Sequence, residues 1–175
     1  MSGEAGSHWV FGYGSLMWRP GFSFVHKEPA ALQGWHRALC VYSHKYRGTV
    51  DRLGLVFGLD RGGECQGMAF EIAPDRWLET HAYLTERELV TNVYLESRVT
   101  VVLPGSGRRV SALTYVVDPA HAQYAGGLSQ VDTLALVRQG HGEAGSCIDY
   151  VKNTAAHLVG LGIPDPHLDA LVKLL

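Results

Sequence analysis

The chain has 175 residues, 46% of them hydrophobic and 18% charged, which suits one domain with a sizeable core rather than a disordered or membrane protein. A net charge of −2 speaks against a nucleic-acid partner, which needs a basic surface, and no apolar run approaches the roughly 20 residues of a membrane-spanning helix. The first residues, MSGEAGSH, lack a basic stretch followed by an apolar one, so no secretory leader is expected. Three scattered cysteines (Cys40, Cys65 and Cys147) fit small buried residues in a reducing cytoplasm.

In chain order, residues 8 to 16 read as a strand that carries Gly12-Tyr13-Gly14-Ser15 near its end, before Leu16, Met17 and Trp18. Paired glycines there mark a place where the backbone comes close to something. A dinucleotide fingerprint needs a glycine where Met17 stands, a phosphate loop needs Gly-Lys-Ser/Thr, and a nucleophile elbow needs Ser15 between two glycines. What remains is a loop whose N–H groups cradle a small anion or carboxylate, or else a bulge or close strand crossing.

Residues 30 to 45 form a second strand pattern, with irregular apolar positions at Leu32, Trp35, Ala38 and Leu39. Arg37 inside it is costly to bury unpaired, which makes it an anion contact or an edge residue. Residues 54 to 60 and 65 to 73 flank Arg61-Gly62-Gly63-Glu64, a hairpin signal. Residues 94 to 103 and 108 to 118 flank Pro104-Gly105-Ser106-Gly107 in the same way. Pro74-Asp75 open a helix that runs to about Leu89, and Ser129 with Asp132 begins a second that ends near Gly140. A third runs from about Cys147 to Leu161 with Gly162 as its stop, and a short one follows Asp165-Pro166. Strands in antiparallel hairpins predict an α+β domain over residues 1–175, a twisted sheet or open barrel with flanking helices, with residues 1–7 loose.

The first helix is the most informative. Glu88 follows Trp77 by eleven residues, so the two lie about 20° apart around the axis, with His81 and Leu84 on the same line. A carboxylate that continues an apolar stripe is desolvated, which raises its pKa toward the range of a general base. The alternatives are a structural salt bridge to Arg87 or another cation, or a stripe that ends in solvent there. Tyr150 points away from the Val151, Ala155 and Leu158 face, toward a cleft or solvent. None of the nine histidines stands in a compact ligand spacing; His141 near Glu143 comes nearest, so no metal is expected. A Ser15 hydrolase triad has no residues that nominate themselves as base and orienter.

Six stretches, VFGYGSLMWRP, LQGWHRALC, RGT with GLVFGL, GMAFEI, YLTEREL and IDYVKNTAAHL with LGIPD, resemble the ChaC-like gamma-glutamylcyclotransferases, the glutathione-specific branch. They run in family order from about residue 8 to residue 168. The resemblance implies a mixed β-barrel with flanking helices and one cleft. It implies a cytoplasmic lyase of glutathione catabolism, in which the substrate's α-amino group attacks its own γ-amide carbonyl to give 5-oxoproline and Cys-Gly. Other γ-glutamyl amines or dipeptides, or binding without turnover, are the alternatives. By position in the family pattern Glu88 is the catalytic acid/base. Val10, Phe11, Gly12, Tyr13, Gly14, Ser15 and Leu16 form the substrate loop, with Arg37 and Tyr150 as further substrate contacts. The nucleophile belongs to the small-molecule substrate, so the reaction calls for no cofactor and no metal. The stretch EAGSCIDY lacks the proline and asparagine common before the family's last tyrosine.

Overall fold

The computed structural model describes residues 6–175, so of the segment expected to be loose, residues 1–7, all but Gly6 and Ser7 lies outside the described residues. The described residues fall into two compact units. One comprises residues 6–36 together with Arg61–Val116; the other comprises Arg37–Asp60 together with Val117–Leu175.

The main strands are β1 (His8–Gly12), β2 (His26–Ser43), β3 (Gly54–Ile72), β4 (Tyr94–Leu103) and β5 (Arg108–Val117), of which β2 through His36, β3 from Arg61 and β5 through Val116 lie in the first unit with β1 and β4. They close into a barrel in the order β1-β3-β2-β4-β5. Antiparallel pairing sets Val10 of β1 opposite Phe70 of β3, and β2 meets β4 at Ala31 and Val102. Closure comes from a parallel pairing of β1 with β5, Val10 opposite Leu113. Trp9, Val10 and Phe11 are all buried, which is why β1 reads as an unbroken apolar run instead of an alternating one. Each such side chain contributes about 1.5–3 kcal/mol on burial. The helix α1 (Trp77–Glu88) follows a 3-10 turn at Pro74–Arg76.

Two readings of the sequence are corrected here. The first strand stops at Gly12 rather than residue 16, because Ser15–Met17 wind into a 3-10 turn. In that turn Met17 N–H donates to the Gly14 carbonyl at 2.9 Å and Arg19 N–H to the Ser15 carbonyl at 2.7 Å. The hairpin expected at Arg61–Glu64 is absent; β3 runs unbroken through it. Gly62 and Gly63 take φ of +99° and +70° inside the strand, and the Gly62 carbonyl accepts a 2.9 Å bond from the His36 ring. Paired left-handed glycines make a bulge as readily as a turn, and the same dipeptide serves both. Gly34 of β2, at φ +86°, explains the irregular second strand. Before it Ala30 and Leu32 alternate inward; after it the buried set shifts to Arg37, Cys40, Val41 and Ser43.

The second unit holds residues 37–43 of β2 and 54–60 of β3, a two-stranded ribbon of β6 (His141–Gly142) and β7 (Gly145–Ser146), and three helices. These are α2 (Gln130–Gln139), α3 (Cys147–Gly160) and α4 (Pro166–Val172), with α3 packed on both others. Each starts on a cap that satisfies an orphan N–H. The Ser129 hydroxyl accepts from Asp132 N–H at 3.1 Å, Ser146 from Asp149 N–H at 3.0 Å, and Asp165 from Leu168 N–H at 3.0 Å. Val137, Val151, Leu158 and Leu168 form its helical core. Cys40, Cys65 and Cys147 are all buried. Among the described residues, no helix is long and apolar enough to cross a membrane.

Candidate active site

The first unit carries a cleft of about 370 Å³, part of it open to solvent, lined by Tyr13, Gly14, Ser15, Leu16, Glu88, Thr114 and Tyr115. It brings the end of the glycine loop and the end of α1 together. Four of the seven loop residues face it. Val10 and Phe11 instead stand behind it, fully buried in β1, and Gly12 ends that strand.

Glu88 is the last residue of α1, on the stripe that Trp77, His81 and Leu84 begin. Leu84 is fully buried, and the Trp77 and His81 rings stack with centroids 5.7 Å apart. Burial pushes the Glu88 carboxyl above the ordinary carboxylate range, and the nearby Arg87 charge pulls it back in part. Nε of Arg87 lies 3.5 Å from Glu88 Oε1. The desolvated carboxylate and the arginine neighbour therefore occur together, and burial is the larger effect.

Sequence reasoning treated Arg87 only as a partner of Glu88. Its guanidinium does more: Nη1 donates to the carbonyls of Arg19 at 2.6 Å and Pro20 at 3.1 Å, and to the Tyr83 hydroxyl at 3.0 Å. Nη2 donates to Ser15 Oγ at 3.0 Å. Thr114 and Tyr115 of β5 were missed altogether. β5 is buried from Ala112 to Val117, so no alternation in the sequence marks which of its side chains meet a cleft. Thr114 Oγ1 donates to the Phe11 carbonyl at 3.0 Å, tying β5 to the loop's strand. The Tyr115 hydroxyl donates to Glu96 Oε1 at 3.4 Å, the oxygen that also meets His81 Nε2 at 2.6 Å. Burial, followed by the charges of Glu96 and Glu88, pushes the Tyr115 phenol well above its usual range. It stays protonated and remains a donor.

Arg37 and Tyr150 belong to the second unit and are engaged there. Arg37 Nη1 donates to Asp165 Oδ2 at 2.6 Å, with side chains only 3% and 13% exposed. The Tyr150 hydroxyl accepts from Phe57 N–H at 3.0 Å, and the Arg47 guanidinium lies 5.2 Å over its ring.

A family model for ChaC-like proteins matches residues 8–175. The glutathione-specific gamma-glutamylcyclotransferase of Escherichia coli (strain K12) is 31% identical over 169 residues, spanning 97% of this chain and 73% of the relative. Glutathione-specific gamma-glutamylcyclotransferase 1 of Danio rerio is 30% identical over 168 residues, spanning 93% and 85%. Among solved structures, a yeast gamma-glutamyl cyclotransferase specific to glutathione aligns with a TM-score of 0.84 at 22% identity, covering 95% of this chain and 94% of its own. That likeness shows a shared fold. On the extent of the family match and the identity to relatives that are themselves gamma-glutamylcyclotransferases, this chain belongs to the ChaC-like protein family.

Proposed function

We propose that the protein is a glutathione-cleaving gamma-glutamylcyclotransferase, a lyase that releases 5-oxoproline and Cys-Gly, with Glu88 moving the proton. The observation that carries this reading is that the Glu88 carboxylate and the Gly14–Leu16 loop line one cleft. The glutathione specificity named for the Escherichia coli and Danio rerio relatives supports the substrate. Three scattered, buried cysteines, an odd number with no CxxC pair, support a reducing compartment, the cytoplasm.

In this reaction the substrate's α-amino nitrogen attacks its own γ-carbonyl carbon. A C–N bond closes the five-membered ring, and the amide C–N bond to cysteine breaks. The ammonium must first lose a proton and the departing amine must gain one, which a carboxyl of raised pKa can do in both directions. Holding amine and carbonyl in contact supplies much of the rest, about 7–11 kcal/mol in well-oriented intramolecular reactions. We assign the backbone N–H groups of the Gly12–Leu16 loop to the α-carboxylate or to the oxygen that gains charge during attack. The buried, protonated Tyr115 adds a phenol to the lining of the same cleft.

Incubation of the purified protein with millimolar glutathione should yield 5-oxoproline and Cys-Gly in equal amounts. No 5-oxoproline at that concentration overturns the reading. A panel of other γ-glutamyl amines run beside it sets the breadth of the substrate class, and free glutamate as product would point to a Ser15-dependent amidohydrolase instead.

A further inference from the structure

Arg87 touches both the substrate loop and the end of the helix that carries Glu88, without itself lining the cleft. We propose that Arg87 is a positioning residue that pins the Ser15–Met17 turn and the Arg19-Pro20 backbone to the end of α1, so that loop and carboxylate keep one geometry. Its two Nη atoms serve four acceptors: the Ser15 and Tyr83 hydroxyls and the carbonyls of Arg19 and Pro20. The reaction depends on placement within fractions of an ångström, so a tie between this loop and the helix end that carries the carboxylate bears directly on it. The planar fork of guanidinium donors can span both sides of such a joint, whereas an ammonium is a single point charge.

The same contacts give Ser15 its role. Its hydroxyl accepts from Arg87, so it serves as an anchor of the turn rather than as an attacking group. The guanidinium also favours the charged form of Glu88 through Nε. The other titratable side chains lining that cleft are Tyr13 from the loop and Tyr115 from β5. Behind Tyr115 stands Glu96 of β4, which is held by His81.

The test compares the full-length wild type with Arg87→Met, Arg87→Lys and Ser15→Ala. Amide hydrogen exchange at Met17 and Arg19, whose N–H groups close the turn, should quicken by about tenfold or more in Arg87→Met, because hydrogen bonds from a charged group are lost. Wild-type exchange rates in that variant overturn the proposal. The kinetic arm rests on the cyclotransferase reading. Arg87→Met should raise KM for glutathione by about tenfold with a smaller change in kcat, and move the acid limb of kcat/KM to higher pH. Arg87→Lys keeps the charge, so its acid limb should stay near wild type while KM remains raised. A residue that only stabilised the fold would lower Tm without separating these effects, and an unmoved KM in both variants overturns the proposal. Should Arg87→Met fail to fold, Ser15→Ala deletes one bond of the set and should still quicken exchange at Met17; unchanged exchange there overturns the proposal. If the wild type forms no 5-oxoproline, the cyclotransferase reading falls while the exchange arm still decides the role of Arg87.

Discussion

Nε of Arg87 lies 3.5 Å from Oε1 of Glu88, yet burial still leaves that carboxyl above its ordinary range. A cation so close would by itself make Glu88 a weak base. The apolar stripe behind it, closed by the fully buried Leu84, restores the proton affinity that general acid/base work needs. Glu88→Gln keeps the shape and removes the base, so activity should fall by about 10²–10⁴-fold with the fold intact. Turnover of glutathione and circular dichroism of the same sample check this; a folded variant that keeps most activity contradicts the assignment.

The same shift has a consequence for stability. A carboxyl whose folded pKa exceeds its unfolded one binds its proton more tightly in the native state. Its contribution to stability is therefore complete below the unfolded pKa, about 4.3 for glutamate, and is lost as pH rises through the folded pKa. Glu88→Gln should accordingly melt above wild type at neutral pH, with the difference shrinking toward pH of about 4. Thermal melts of both proteins across that range read the sign directly.

Gly12 and Gly14 should respond differently to a methyl group. A Cβ at Gly12 would meet Leu16 Cβ at 3.0 Å, whereas one at Gly14 meets nothing within 4 Å. Gly12→Ala should lower the melting temperature, because the strand end and the turn are pressed together there. Gly14→Ala should leave stability near wild type and raise KM, since Gly14 lines the cleft. Equal losses of stability in both variants would mean that the loop has no role separate from packing.

What the sequence made legible follows from where local rules are strong. Caps at Ser129, Ser146 and Asp165 sit at the ends that the helical patterns mark, because a side chain three residues from an orphan N–H is a local fact. The stripe from Trp77 to Glu88 is equally local. The run of β3 through Gly62-Gly63 was not, since a bulge and a turn share the same dipeptide and only the pairing partner decides. Thr114 and Tyr115 reach the cleft through closure of the barrel, a pairing of β1 with a strand about a hundred residues later, which no nearby spacing records. Arg87 reads as a neighbour of Glu88; its bonds to Ser15 and Arg19 depend on the loop's path.

Arg37 poses a choice between substrate contact and structural partner. Its guanidinium is almost wholly buried against Asp165, which also caps α4 through Leu168 N–H. Removing one member of such a pair leaves a buried charge without its counterion, at a cost of about 3–5 kcal/mol, more than the pair itself is worth. Asp165→Asn should therefore be strongly destabilising, with the lost carboxylate outweighing the cap that asparagine retains. Arg37→Met should be similarly destabilising, and pairing it with Asp165→Leu should recover part of the loss, because no unpaired charge then remains. Urea unfolding of the two single variants and the double variant measures this coupling. KM for glutathione on the folded fraction separates the roles: an unchanged KM marks a structural ion pair, whereas a raised KM at unchanged stability assigns the guanidinium to the substrate.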